Sequence, residues 1–386
     1  MACSIAEINS GHPSCNARRS VRCAVVLLLA LCSTLVLAAP SLHAGVVYFE
    51  KDFSKMGNVP NTSQGICSAA ANVNSFAFLW NQYPGIYDDT QLLPDSNGNK
   101  VLEDSELVAA RTMMAFGWDS PISGVHRPGI YSSGNTGTAQ QIWEQTYLWF
   151  EDFAPGTTAL RGQVYAVTGG WLDGSLLERK YPRWDFLWDA MVDMADITLG
   201  IQPKVAGTEG HAVTLTGLAF DDLDGDGLWS LGETPLKIGY LDPNKPSVQT
   251  WADVTFGGGS RMEFTWWQTG TTYYVYRAYT ETPLFIPGDA NGDGIVDDLD
   301  AVALSKHWGM GSATWAMGDF DGDDIVGAKD AAILAGNWGR TSRYYVGGEG
   351  LAPEGTAAAA AVPEPSIGAL LVGLLCLACF RRRGGR

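Results

Sequence analysis

The segment from Gly288 reads Gly-Asp-Ala-Asn-Gly-Asp-Gly-Ile-Val-Asp-Asp-Leu-Asp, and the same acidic spacing returns from Asp319. No other feature restricts the fold so strongly. In the first copy, positions 1, 3, 5, 7, 9 and 12 of an EF-hand-like loop fall on Asp289, Asn291, Asp293, the Ile295 carbonyl, Asp297 and Asp300, with Gly294 at the sharp turn. Calcium takes about six to eight hard oxygen ligands, and this alternation brings them onto one centre. In the second copy Asp319, Asp321, Asp323, the Ile325 carbonyl and Asp330 fill the corresponding places. There Asp324 stands at the turn and Gly327 offers no side chain at position 9, so a weaker site is expected. A helix is expected after each loop, over 300–308 and 330–338, and both copies end in Trp-Gly, at Trp308-Gly309 and Trp338-Gly339.

This duplicated loop-helix unit, 287–342, resembles a type I dockerin. The resemblance implies a small all-α module that folds with calcium as its cofactor and docks onto a cohesin-like protein. A calcium-stabilised spacer without a partner is the alternative at this point. Calcium loops also account for much of the formal net charge of −17, which argues against nucleic acid as a partner, because phosphate needs a basic face.

Two further loops of this kind lie upstream. Asp222, Asp224, Asp226, the Leu228 carbonyl and Glu233 follow the same pattern with Gly227 at the turn. Their flanks read as strands, so a calcium loop within a hairpin is expected. Asp95, Asn97, Asn99, the Val101 carbonyl and Glu106 form a looser match with Lys100 where glycine is usual. An Asn/Gly turn that caps the next helix is the competing reading there.

The chain ends carry export signals. Arg18, Arg19 and Arg22 precede an apolar run from Cys23 to Ala39, then Pro40-Ser41-Leu42-His43-Ala44, the order of a signal peptide over 1–44. At the other end Val362-Pro363-Glu364-Pro365-Ser366, an apolar run and Arg381-Arg382-Arg383 resemble a PEP-CTERM sorting signal over 362–386. That resemblance implies an exosortase-type sorting enzyme as a partner and a transient C-terminal membrane anchor, hence export to the cell surface, outer envelope or medium. The stretch 343–361 is a Gly/Ala-rich linker.

Of the seven cysteines, only Cys67 lies outside the two end segments. A lone cysteine in an exported protein is a reactive thiol, an intermolecular partner or a small buried residue. Gly65 precedes it and small residues follow in Cys67-Ser68-Ala69-Ala70-Ala71, which places it at a helix start. The helix dipole there favours the thiolate.

The body, 45–286, changes pattern along its length. Helical spacing marks 68–80, 103–116, 140–150 and 185–194, whereas 212–219, 236–241, 261–267 and 272–279 read as strands. Helices packed on an antiparallel sheet make an α+β fold. His211 opens one of these strands in Gly210-His211-Ala212-Val213, and Asp242-Pro243 closes the next. A nucleophilic cysteine needs a base, and the base an orienting group.

Cysteine at a helix start, Gly-His-Ala-Val before a strand and Tyr-Leu-Asp-Pro after it resemble the papain-like cysteine peptidases, nearest the bacteriocin-processing (double-glycine) type. The resemblance implies a helical half packed on an antiparallel sheet and a peptide or protein substrate. It implies Cys67 as nucleophile, His211 as base and acid, Asp242 as orienter and Gln64 at the oxyanion hole, with Asn61 as the fallback. The expected function is a secreted, calcium-binding cysteine peptidase. The alternatives are a non-catalytic calcium-stabilised scaffold and a dockerin-bearing polysaccharide-associated protein.

Overall fold

The structure, a computed structural model, describes residues 45–62, 66–87, 90–132, 137–165, 176–205, 210–258 and 260–341. Residues 1–44 and 343–386, read above as export segment, linker and sorting tail, and Gln64 lie outside them. Among the described residues no helix is long and apolar enough to cross a membrane.

Along the chain come β1 (Gly45–Glu50), α1 (Cys67–Gln82), α2 (Asp104–Phe116), the small hairpin β2 (Gly117–Asp119) and β3 (His126–Pro128), and α3 (Ala139–Phe153). Then follow β4 (Thr158–Val164), β5 (Leu177–Glu178), α4 (Trp184–Val192), β6 (Asp196–Pro203), β7 (His211–Asp222), β8 (Thr234–Leu241), β9 (Gln249–Gly257), β10 (Arg261–Thr265) and β11 (Thr272–Pro283). The last helices are α5 (Asp298–His307) and α6 (Ala328–Gly336). The class is α+β with one large sheet of nine strands. Strands enter earlier than the sequence pattern suggests. β4 and β6 precede or interleave with helices, and their apolar runs are too short to be told from buried helix by periodicity.

The sheet runs β1-β7-β8-β9-β10-β11-β4-β5, and β6 pairs with both β11 and β7. The path from β6 through β7, β8, β9, β10 and β11 therefore returns on itself. Apart from the parallel β4–β5 pair, the pairings with a defined register are antiparallel. Closure explains why nearly all of β7 is buried. One face looks into the ring, and on the other Thr214 Oγ1 donates to the Ala71 carbonyl of α1 at 2.8 Å. A strand covered on both faces has no reason to alternate polar and apolar residues.

The main core lies between the helices and this sheet. Ala69, Val73, Phe76 and Leu79 of α1 meet Leu107 and Met114 of α2, Trp143, Trp149 and Phe150 of α3, and Leu160, Leu241 and Tyr279 from the strands. A second, much smaller core of Ile286, Ala290, Val296, Leu304, Ala313, Phe320, Val326 and Leu334 holds α5 and α6. Trp315 packs on both.

By compactness the chain also sets apart a small unit, 45–47 with 220–234 among the described residues. It contains the acidic loop between β7 and β8.

Candidate active site and calcium loops

Cys67 is the first residue of α1, and Ile66 before it makes no side-chain cap bond. By contrast, α3 and α5 open with side-chain caps from Thr138 and Asp297. A helix start without a side-chain cap keeps backbone N–H groups that can serve another acceptor. Cys67 is half-buried and free.

His211 opens β7 and is buried. Its Nε2 lies 2.7 Å from Asp242 Oδ1, just past the end of β8. The second ring nitrogen is thereby left for Cys67, whose thiol hydrogen-bonds the imidazole. Asp242 is fully buried. It also accepts from the Asn244 N–H at 2.8 Å and, at Oδ2, from Trp266 Nε1 at 2.8 Å and Trp267 Nε1 at 2.7 Å. The Trp266 ring lies 4.9 Å from the imidazole.

The electrostatics follow from this geometry. Burial pushes the Asp242 carboxyl up, but the His211 bond and charge and the other donors outweigh it and hold the carboxyl below its usual range. Burial works against a charged His211, yet Asp242 and Cys67 raise its pKa to about 9. Burial also opposes a Cys67 thiolate, and the His211 bond and charge, the Ala212 N–H and the Arg277 charge together lower its pKa. A thiol whose pKa is lowered beside an imidazole whose pKa is raised is equipped for nucleophilic attack followed by proton delivery.

Cys67, His211 and Asp242 thus come together from three elements. Asn61 is tied to the Asp242 side of this group. Its N–H donates to the Pro243 carbonyl at 2.8 Å and its Nδ2 to Asn244 Oδ1 at 3.0 Å. Sequence reading did not assign Trp266, Trp267, Asn244 or Arg277 to the site. Their signal is faint, since a Trp-Trp pair ordinarily reads as sheet packing.

The acidic residues of the loops first of all organise their own backbones. In 289–300, Asp289 accepts from the Gly292, Asp293 and Gly294 N–H groups, and Asp300 from those of Ala290, Asn291 and Asp297. Burial, opposed by the Gly294 and Gly292 bonds and helped by the neighbouring carboxylates Asp300 and Asp293, raises the pKa of Asp289. Such an all-oxygen, mutually repelling set fits a hard cation. In 319–330, oxygens of Asp319, Asp321 and Asp323 lie within 4.8 Å of one another. Asp324 occupies the turn with φ +62°. Lys329 Nζ reaches Asp321 at 3.1 Å and Asp323 at 3.4 Å.

The same 4.8 Å convergence joins Asp222, Asp224 and Glu233. The loop 95–106 repeats the bonds of 289–300, and each closes a capping box at the start of the next helix. Asp95 accepts from the Gly98, Asn99 and Lys100 N–H groups, while Glu106 accepts from Ser96 and from the Glu103 N–H at the start of α2.

The helix ends explain the repeated Trp-Gly. Gly309 and Gly339 adopt φ of +76° and +78°, which glycine enters without penalty. The chain then pairs with the loop of the other copy. Gly309 N–H donates to the Val326 carbonyl and Gly339 N–H to the Val296 carbonyl, both at 2.8 Å.

Residues 287–337 match the dockerin type I domain. No curated protein matches the chain. The dockerin match indicates a calcium-binding, cohesin-docking protein of the extracellular space or cell surface.

Proposed function

We propose that the body is a cysteine peptidase of papain-like architecture, carried by a dockerin to a cohesin-bearing partner. The observation that carries this reading is the His211–Asp242 bond of 2.7 Å in a buried site whose imidazole also bonds Cys67. The Cys67 thiolate attacks a peptide carbonyl carbon, and the carbonyl oxygen becomes an oxyanion facing the N–H groups at the start of α1. The His211 imidazolium gives its proton to the leaving amine nitrogen as the C–N bond breaks, leaving a thioester. Water then attacks the thioester, His211 takes its proton, and the thiolate returns. Asp242 fixes the ring and the tautomer throughout. Gln64 is the proposed side-chain donor to the oxyanion, since the Asn61 amide already donates to Asn244 on the Asp242 side.

Calcium, held by the loops 289–300 and 319–330 and by Asp222, Asp224, Asp226, the Leu228 carbonyl and Glu233, supplies folding rather than chemistry. The end segments are read as export and sorting signals, the latter cut by an exosortase-type enzyme.

Cys67→Ala should abolish peptide cleavage while leaving the fold intact. A folded Cys67→Ala protein that cleaves a peptide library at the wild-type rate would sink the reading. It would move the assignment to a scaffold that docks through its dockerin alone.

A further inference from the structure

The triad leaves one buried charge at the site without a role. Arg277 of β11 is 1% exposed. Its Nη2 donates to Ser68 Oγ at 3.0 Å, one residue past Cys67, and its Nε to Tyr276 Oη at 3.3 Å. The guanidinium carbon lies 5.0 Å from the Tyr279 ring centre and 5.9 Å from that of Tyr276. Its Nη1 is buried with no hydrogen-bond partner among the described residues. The titratable groups around it are Tyr131, Tyr276, Tyr279, Cys67 and Glu281. Burial and the neighbouring Asp196 charge hold Glu281 well above the usual carboxylate range.

The sheet is shaped around this side chain. β11 shifts register against β6 between Val275 and Arg277, a bulge that re-aims the residue. The residue paired with Arg277 is Gly200, where a Cβ would fall 2.4 Å from the arginine Cγ and Nε. Glycine is needed there because the side chain crosses the backbone of β6 to reach α1.

A guanidinium taken from water without a counter-ion is costly, and an anion beside it offsets that cost. The anion available at the start of α1 is the Cys67 sulfur. We propose that Arg277 is a positioning residue that holds the first turn of α1 through Ser68 and acts as a second cation for the Cys67 thiolate, beside His211. This rests on the thiolate reading of Cys67. With it the four groups around the Cys67 sulfur pair in charge: Cys67 and Asp242 negative, His211 and Arg277 positive.

The test uses the full chain with calcium. The rate of Cys67 alkylation by iodoacetamide is followed by peptide mass spectrometry from about pH 4 to 10, a range that brackets a free thiol near 8.5. Arg277→Gln keeps a donor for Ser68 and removes the charge. Its rate at low pH should fall about tenfold, the effect of one pKa unit. Arg277→Lys keeps a charge at acid pH, where a buried lysine is still protonated, and should retain more of the low-pH rate than Arg277→Gln. A folded Arg277→Gln protein with the wild-type profile overturns the proposal alone. A wild-type thiol that titrates in the ordinary range overturns the thiolate reading and the proposal with it. Should Arg277→Gln not fold, Ser68→Ala decides: a lower rate at acid pH supports the proposal, and an unchanged profile overturns it.

Discussion

At the scale of the residue, the site is a balance between burial and pairing. Cys67 is lowered and His211 raised to about 9, so each shift favours the thiolate–imidazolium form. Peptidase activity should follow a bell. Its acid limb lies below the ordinary thiol range, and its alkaline limb falls near pH 9 as the imidazolium loses the proton the leaving amine needs. An alkaline limb near the free-imidazole value of about 6.5 would contradict the pairing. The same shift bears on stability. His211 contributes fully below its unfolded pKa of about 6.5, and the contribution is lost as pH rises through about 9. Asp242→Asn places an amide where four donors converge. It should cut kcat/KM by about a hundredfold or more, and a loss under threefold would remove Asp242 from the mechanism.

At the scale of the element, α1 is set by its small residues. Ala69, Ala70 and Ala71 are fully buried, and the helix sits close enough to β7 for Thr214 to bond the Ala71 carbonyl. That approach brings Cys67, at the end of α1, to His211, at the end of β7. Ala71→Leu should cost about 1–3 kcal/mol by overpacking and weaken the Cys67–His211 contact. Denaturant midpoints and alkylation rates read the two effects separately, and an unchanged midpoint would mean the helix rides freely on the sheet. The sheet closure through β6 belongs to this scale too. It ties the strands that carry His211 and Arg277 into one frame.

At the scale of the whole molecule, the dockerin depends on metal for what its core does not supply. Its eight buried apolar residues make a core too small to hold a module of that size unaided. Trp315 links that core to the body, and its Nε1 bonds the Asp289 carbonyl beside the first calcium loop. Chelation of calcium should therefore expose 287–341 to protease and shift Trp fluorescence, with Asp289→Ala more damaging than Asp319→Ala. Protease resistance and emission indifferent to chelator would refute calcium as the organiser of this region.

The dockerin repeats were legible in the sequence because their pattern is local: the acidic positions follow one another along the chain. For the same reason the helices α1, α2 and α3 and the strands around His211 were visible as periodic runs. Cys67 and His211 stood out because cysteine and histidine are so few, and Asp242 because it closes the strand after that of His211. Other features depended on contacts between residues far apart in the chain. The ring closed by β6, the two tryptophans on Asp242, the crossed pairing of the two Trp-Gly ends and the path of Arg277 over Gly200 have no short-range pattern. Each is decided by which strand or loop becomes its neighbour, and that is settled by burial across the whole sheet rather than by any segment's own preference.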